Sequence, residues 1–183
     1  GRACNFCLNY VKTDYTLLIE PDVFIEENDL EKLSFGMKKY SDTGIVVPTL
    51  IDSNRNNIDK LRNLPELDKL NLYHNYDGTF ESDVCVNFCW AAILLLNNKI
   101  IKKNGLFNKR FFIFLEDFNL CQSLKKKGIP VIKIFDSKAI HKESASTKQT
   151  IKSSFIIHKH HLLSSYIYFN VEKGSFYLKK KLM

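Results

Sequence analysis

The sequence predicts an α/β fold with a mostly parallel sheet flanked by helices. Three observations carry this. Short apolar runs alternate with helical patterns along most of the 183 residues, the order that builds βαβ units. "EDFNLCQSLKKKG", residues 116–128, opens with acids and closes with three Lys, with Gly128 just past the end and Pro130 beyond; these are the charges and stop signals of a helix. "PVIKIF" then reads as a buried strand. A chain of this length that is 45% hydrophobic and 13% aromatic can bury a real core as one domain. Only 7 Gly and 4 Pro exclude low-complexity and fibrous classes.

The elements follow in order. Residues 2–12 read as a helix and Tyr15 to Ile19 as a strand. "NDLEKLSFGMKKY" reads as a helix, with Leu30, Leu33, Met37 and Tyr40 at helical spacing; Asn28 with Glu31 three residues on makes a capping box. "GIVVPTL" is a short buried strand, and "IDSNRNNIDK" a polar loop rich in turn residues. Residues 61–82 read mostly as loop. "DVCVNFCWAAILLL" is strand-like, and "NNKIIKKNG" a short helix ended by Gly105. A long helix is expected from near Gln149, with Ile151, Phe155, His158, Leu162, Tyr166 and Phe169 on one stripe. The division expected is a core at 1–148 and a basic amphipathic helix and tail at 149–183.

Charge and cysteine narrow the function. The formal net charge is +7. From Ile151 onward there are six Lys against one Glu, a balance of +5, which leaves +2 for everything before it. Any basic partner surface therefore belongs to the C-terminal segment. The longest apolar run, "FCWAAILLL", is far short of the about 20 residues of a membrane-spanning helix. No signal peptide is expected, and five Cys, an odd number, fit a reduced, cytoplasmic setting better than a disulfide framework. "CNFC" and "CVNFC" place four thiols where a tetrahedral zinc site could form. Both stretches are apolar, however, and a free Cys is commonly a small core residue.

"TLLIEPDVFI", residues 16–25, sets the chemical question. An apolar run meets Glu20 and Asp22 with Pro21 between them. One reading is a strand stopped by proline and followed by solvated acids. The other is two oxygen donors for a hard cation at the carboxyl end of a strand, where open α/β sheets bind ligands. Glu116 and Asp117 pose a similar choice, between capping a helix and acting as a general base. His141, at a strand end after "DSKAI", is either a surface His or a ligand near that cation.

Taken together, "GRACN", "YTLLIEPDVFI", "GIVVPTL", "FFIFLEDFNLC", "KKKGIPVIKI" and "AIHKES" resemble the family 2 glycosyltransferases of GT-A fold, in particular their rhamnosyltransferase-like branch. The resemblance implies a Rossmann-like sheet and inverting transfer of a sugar from a nucleotide-diphosphosugar to the hydroxyl of a glycan or lipid-linked acceptor, as in cell-surface polysaccharide synthesis. Glu20-Pro21-Asp22 stands at the DxD position, so Asp22, Glu20 and His141 become ligands of Mg2+ or Mn2+. Asp117 becomes the general base, with Glu116 as the alternative. Asn5, Arg62, Trp90, Ala91 and Ala92 fall at positions near the donor and the acceptor pocket. Glu20 replaces the usual Asp or Asn, Cys7 and Ala91 replace usual glycines, and Asn119 stands where another Asp is usual. The chain opens on Gly1 within a motif, so the expectation is a piece that lacks the N-terminal nucleotide-binding strands. His158, His160 and His161 are read as polar-face or acceptor-side residues. The basic tail is either docked on the core or in peripheral contact with the inner face of a membrane. The rival classes are a non-catalytic, transferase-like binding domain and a basic zinc or nucleic-acid module; the latter predicts Lys and Arg among exposed aromatics, a pattern the sequence lacks, so no nucleic-acid partner is expected.

Overall fold

The computed structural model describes residues 1–59, 61–62, 75–76, 80–142 and 151–173. Five helices are present among them: α1 (Arg2–Leu8), α2 (Glu27–Lys39), α3 (Asn98–Asn104), α4 (Glu116–Lys126) and α5 (Ile151–Lys173). The strands are β1 (Tyr15–Ile19), β2 (Val23–Ile25), β3 (Ile45–Ile51), β4 (Leu61–Arg62), β5 (Asn75–Tyr76), β6 (Val84–Cys85), β7 (Ile93–Asn97) and β8 (Val131–His141). β4 and β5 pair with each other, and the other six form one sheet in the order β1-β7-β3-β8-β2, with β6 also on β8.

The expected mostly parallel sheet is corrected here. β3 and β8 are parallel; the β1–β7, β3–β7, β2–β8 and β6–β8 pairs are antiparallel. Strand and helix do alternate, but a parallel return requires a crossover that preserves direction. The β7-to-β8 connection contains two helices, and β7 enters the sheet between β1 and β3 against the direction of both. β1, β3 and β8 nevertheless run the same way, so their carboxyl ends share one edge of the sheet.

Local chemistry explains most boundaries. Asn97 caps α3, its side chain accepting from the Ile100 N–H, and Gly105 ends that helix at φ 87°. Gly128 follows α4 at φ 67°; both glycines adopt a backbone that other residues rarely tolerate. The capping box expected at Asn28 does not form. α2 begins at Glu27, and its first-turn Asp29 is engaged instead by the Lys138 N–H and the Lys32 ammonium. The strand expected over 83–96 is broken, with β6 and β7 separated by an irregular stretch that carries Trp90, Ala91 and Ala92. The long helix is present, but its apolar residues lie on both sides. Tyr168 is buried as part of the main core, whereas Phe155, Leu162 and Tyr166 of the expected stripe point outward. It is therefore not the amphipathic helix that the stripe implies.

Pro48 lies inside β3 and has no N–H for the ladder. The pairing with β8 jumps there from Val47↔Lys133 to Thr49↔Lys138. The displaced β8 segment is secured by side chains: the Phe135 N–H donates to Asp83 (3.1 Å), and Ser137 Oγ donates to the Asp29 carbonyl (2.9 Å). Just before the jump, Lys133 is 1% exposed; its Nζ meets Asp59 Oδ2 at 2.5 Å and the Asp59 carbonyl at 3.0 Å. Removing one partner of such a pair strands a buried charge. Asp59→Ala is expected to cost about 3–5 kcal/mol in urea unfolding, and Lys133→Met, which strands the buried Asp59 carboxylate in its turn, a similar amount, whereas the double replacement Asp59→Leu with Lys133→Met, which leaves no buried charge, is expected to cost far less.

Candidate active site

Glu20, Pro21 and Asp22 join the end of β1 to the start of β2. The Glu20 N–H donates to the Ala92 carbonyl (2.9 Å), and the Val23 N–H to the Glu20 carbonyl (3.1 Å). On the other side, the Lys142 N–H donates to the Asp22 carbonyl (3.0 Å). Val23 stands in register with His141, the last residue of β8. His141 Nε2 is thereby 3.7 Å from Glu20 Oε2 and 3.7 Å from Asp22 Oδ1. One ligand atom from each of the three residues lies within 4.8 Å of the others. Among the described residues this is the one group of three or more His, Cys, Asp or Glu side chains that converges in this way. Burial raises the Glu20 carboxyl above its usual range; His141 opposes the shift, and the charges of Asp22 and Glu116 add to it. Two carboxylates and an imidazole so placed could hold a divalent cation.

The cluster borders a cavity of about 460 Å3. Glu20 and His141 line one side of it, and Glu116 and Asp117, at the start of α4, line it as well. Trp90, Ala91, Ala92, Ile113 and Phe114 make the wall mostly apolar. α4 is held against that wall by stacking of Phe88 on Phe118 (centroids 3.8 Å, planes 7° apart) and by the Cys89–Cys121 contact at 3.7 Å. Burial pushes the Asp117 carboxyl up to about 7; the Phe118 N–H bond opposes this, and the Glu116 and Glu20 charges reinforce it. Glu116 Oε2 is buried with no hydrogen-bond partner among the described residues.

The turn into α4 is unusual. Phe114 (φ 67°) and Leu115 (φ 58°) both adopt the left-handed region, at a cost of order 1–3 kcal/mol each for residues other than glycine. Leu115 is held there by burial in the core and Phe114 by contact with the His161 ring at 5.5 Å. His161 itself lines the cavity from α5. Sequence reasoning left Ile113, Phe114 and Leu115 without a role, although the aromatic density of "FFIFLED" was the available signal.

Other expected residues lie elsewhere. The Asn5 side chain donates to the Phe107 carbonyl (2.6 Å) and accepts from the Phe107 N–H (3.0 Å). It ties α1 to the 106–107 segment and lines a different cavity, so it is not part of this site. The side chain of Arg62 lies outside the described residues, as do Lys179, Lys180 and Lys181. The four thiols of the zinc expectation are not gathered. Cys4 and Cys7 are on α1, Cys85 is exposed on β6, and Cys89 is buried against Cys121. That contact, with burial, pushes the Cys89 thiol well up, away from the thiolate a metal needs.

No family's sequence profile matches the chain, and no curated protein does. Among solved structures, it is similar to the crystal structure of GalNAc-T7 with UDP, GalNAc and Mn2+, at a TM-score of 0.60 and 11% identity. The fold is GT-A-like. The likeness covers 76% of this chain and only 30% of that one. A second likeness, to A197 from STIV, has a TM-score of 0.47 and 14% identity, over 81% of this chain and 76% of that one, and carries no argument. Nothing in these likenesses points to the rhamnosyltransferase-like branch.

Asp117 binds its proton more tightly in the folded chain than in the unfolded one, because its pKa moves from 3.8 to about 7. Its contribution to stability therefore falls as pH rises from about 4 through 7. In Asp117→Asn that loss disappears. The difference in Tm, variant minus native, is expected to grow more positive between pH 5 and pH 8, with the free-energy gain bounded at about 4 kcal/mol.

Proposed function

We propose that this chain carries the metal turn, the general base and the acceptor wall of an inverting glycosyltransferase that uses a nucleotide-diphosphosugar. One observation carries the reading: Glu20, Asp22 and His141 converge at the edge of a cavity that Glu116 and Asp117 also line. The fold likeness to a glycosyltransferase structure supports it.

The reaction needs two things on these two sides. A divalent cation held by Asp22, Glu20 and His141 would neutralise charge on the departing diphosphate. Asp117 takes the proton of the acceptor hydroxyl as that oxygen bonds to the anomeric carbon and the bond to the diphosphate breaks on the opposite face, which inverts the centre. A carboxyl with its pKa near 7 suits this step, because a base works best when its pKa lies near the operating pH. Trp90 and Phe114 offer flat faces to a sugar ring, while Ala91 and Ala92 leave room for it. The acceptor is a glycan or a lipid-linked sugar; Glu116, one oxygen of which has no partner among the described residues, would accept from one of its hydroxyls and is the alternative base.

Titration with Mn2+, followed by loss of the free-ion electron-spin signal, is expected to show one saturable site. Asp22→Ala is expected to weaken it by more than the about tenfold to hundredfold typical of outer-shell losses, with the melting transition kept. Undiminished Mn2+ binding in that variant would remove the metal assignment.

In the complete enzyme, since the piece alone is expected to lack the nucleotide-binding strands, transfer from a panel of nucleotide-sugars, read by release of nucleoside diphosphate, is expected to rise with pH through about 7 as Asp117 loses its proton. Asp117→Asn is expected to lower the rate by about a hundredfold to ten-thousandfold and to abolish that limb. If Glu116→Gln is the inactive variant and Asp117→Asn is near normal, the base is Glu116.

A further inference from the structure

α5 meets the core with an unexpected face. Ser164 Oγ donates to the Ile113 carbonyl (2.6 Å), Tyr168 is 1% exposed, and His160 and His161 lie against the rings of Phe112 and Phe114. Much of the bulkiest apolar surface points the other way. Phe155 is 73% exposed, Leu162 71%, Tyr166 60% and Leu163 49%. Phe155, Lys159, Leu162 and Tyr166 follow one another at intervals of four, three and four residues, which places them on one face. Phe112, in ring contact with His160, is 75% exposed and adds to the uncovered surface. Isolated apolar side chains are normal on a protein surface; a row of them is not. A helix that is apolar on all sides is normally covered on all sides.

Charge identifies the covering partner. Between residues 151 and 171 the chain has no Asp or Glu, and it carries Lys152, Lys159 and three His there. A second copy of the chain would bring the same face of each molecule together, Lys159 included, with no carboxylate along this stretch to pair it. A bilayer surface with anionic headgroups meets both needs: aromatic and aliphatic side chains enter the acyl boundary, and the lysine reaches back to the headgroups. No helix among the described residues is long and apolar enough to cross a membrane, so the contact lies in the plane of the surface. We propose that the outward face of α5, centred on Phe155, Leu162 and Tyr166, docks on an anionic lipid surface. His161 on the same helix lines the cavity; the consequence that a lipid-borne acceptor would be presented there rests on the transferase reading, whereas docking does not.

The test uses the 183-residue chain, without any sugar donor, in flotation with vesicles of phosphatidylcholine alone and of phosphatidylcholine with phosphatidylglycerol. The chain is expected to float with the anionic vesicles and to be released as salt rises, because the attraction is screened. Phe155→Ser with Leu162→Ser is expected to abolish flotation at unchanged helix content by circular dichroism, since both side chains are exposed. Lys159→Gln, which leaves the apolar row intact, is expected to weaken binding by roughly fivefold. Phe35→Ser, at an equally exposed Phe on α2 (69%), is expected to change nothing. The proposal is overturned if the chain ignores anionic vesicles, if Phe35→Ser is as harmful as the α5 pair, or if sedimentation shows a dimer that the α5 pair dissociates while vesicles bind neither form.

Discussion

Glu20, Pro21 and Asp22 bridge the backbones of the two halves of this sheet at its functional edge. β3 pairs with β7 only through Ile45 and Val46, so beyond those residues the ladder gives no link between the β1–β7 half and the β8–β2 half. Glu20-Pro21-Asp22 makes the link, with one backbone bond to Ala92 on the β7 side and one to Lys142 on the β8 side. The bridge is short, proline restricts it, and both of its other residues are acidic. The element that closes the sheet is therefore the element that brings two carboxylates to His141. Mechanical and chemical demands fall on the same three positions.

The wall at the start of α4 is set by a different kind of constraint. α4 can present Glu116 and Asp117 to the cavity only if the chain turns sharply before it, and Phe114 and Leu115 take positive φ to do so. Core burial of Leu115, the Phe88–Phe118 stack and the Cys89–Cys121 contact hold the turn in place. The same apolar packing strips water from Asp117 and raises its pKa. Backbone strain, packing and acid–base character are thus one arrangement. With Glu20 it places three carboxyl groups around one cavity, and Asp22 stands beside Glu20 at its edge, an accumulation of like charge that a bound cation would relieve.

Electrostatics also separate this edge from the rest of the fold. The other deeply buried charge, Lys133, is matched by Asp59 at hydrogen-bond distance, beside the register jump that Pro48 causes. That pair satisfies itself and leaves nothing for a ligand. Glu116 does not: one of its oxygens has no partner among the described residues. Lys133 and Asp59 serve the core, whereas the carboxyl groups at the carboxyl end of β1 and the start of α4, with His141 at the end of β8, form the candidate site.

Much of this was legible in the sequence, because it depends on neighbours along the chain. Proline after an apolar run ended β1 where expected, glycines ended α3 and α4, and the strands at Tyr15–Ile19 and Ile45–Ile51 follow from apolar runs between turn residues. The carboxylates and His141 were visible as residue types at strand and helix ends. Strand direction was not legible, because antiparallel and parallel strands share the same alternation of elements, and only the place of β7 between β1 and β3, against the direction of both, fixes it. Nor was it legible that Asn5 would spend both ends of its amide on Phe107, that His161 would reach the cavity from α5, or that the apolar stripe of α5 would face outward: periodicity reports that a helix has an apolar side, not which side the core takes. The sequence by itself determined which residues could ligate, cap and break. Only the tertiary structure decided which of them meet, because Glu20 lies about a hundred residues before both Asp117 and His141 and comes together with them solely through the packing of β1, β8 and α4 at one edge of the sheet.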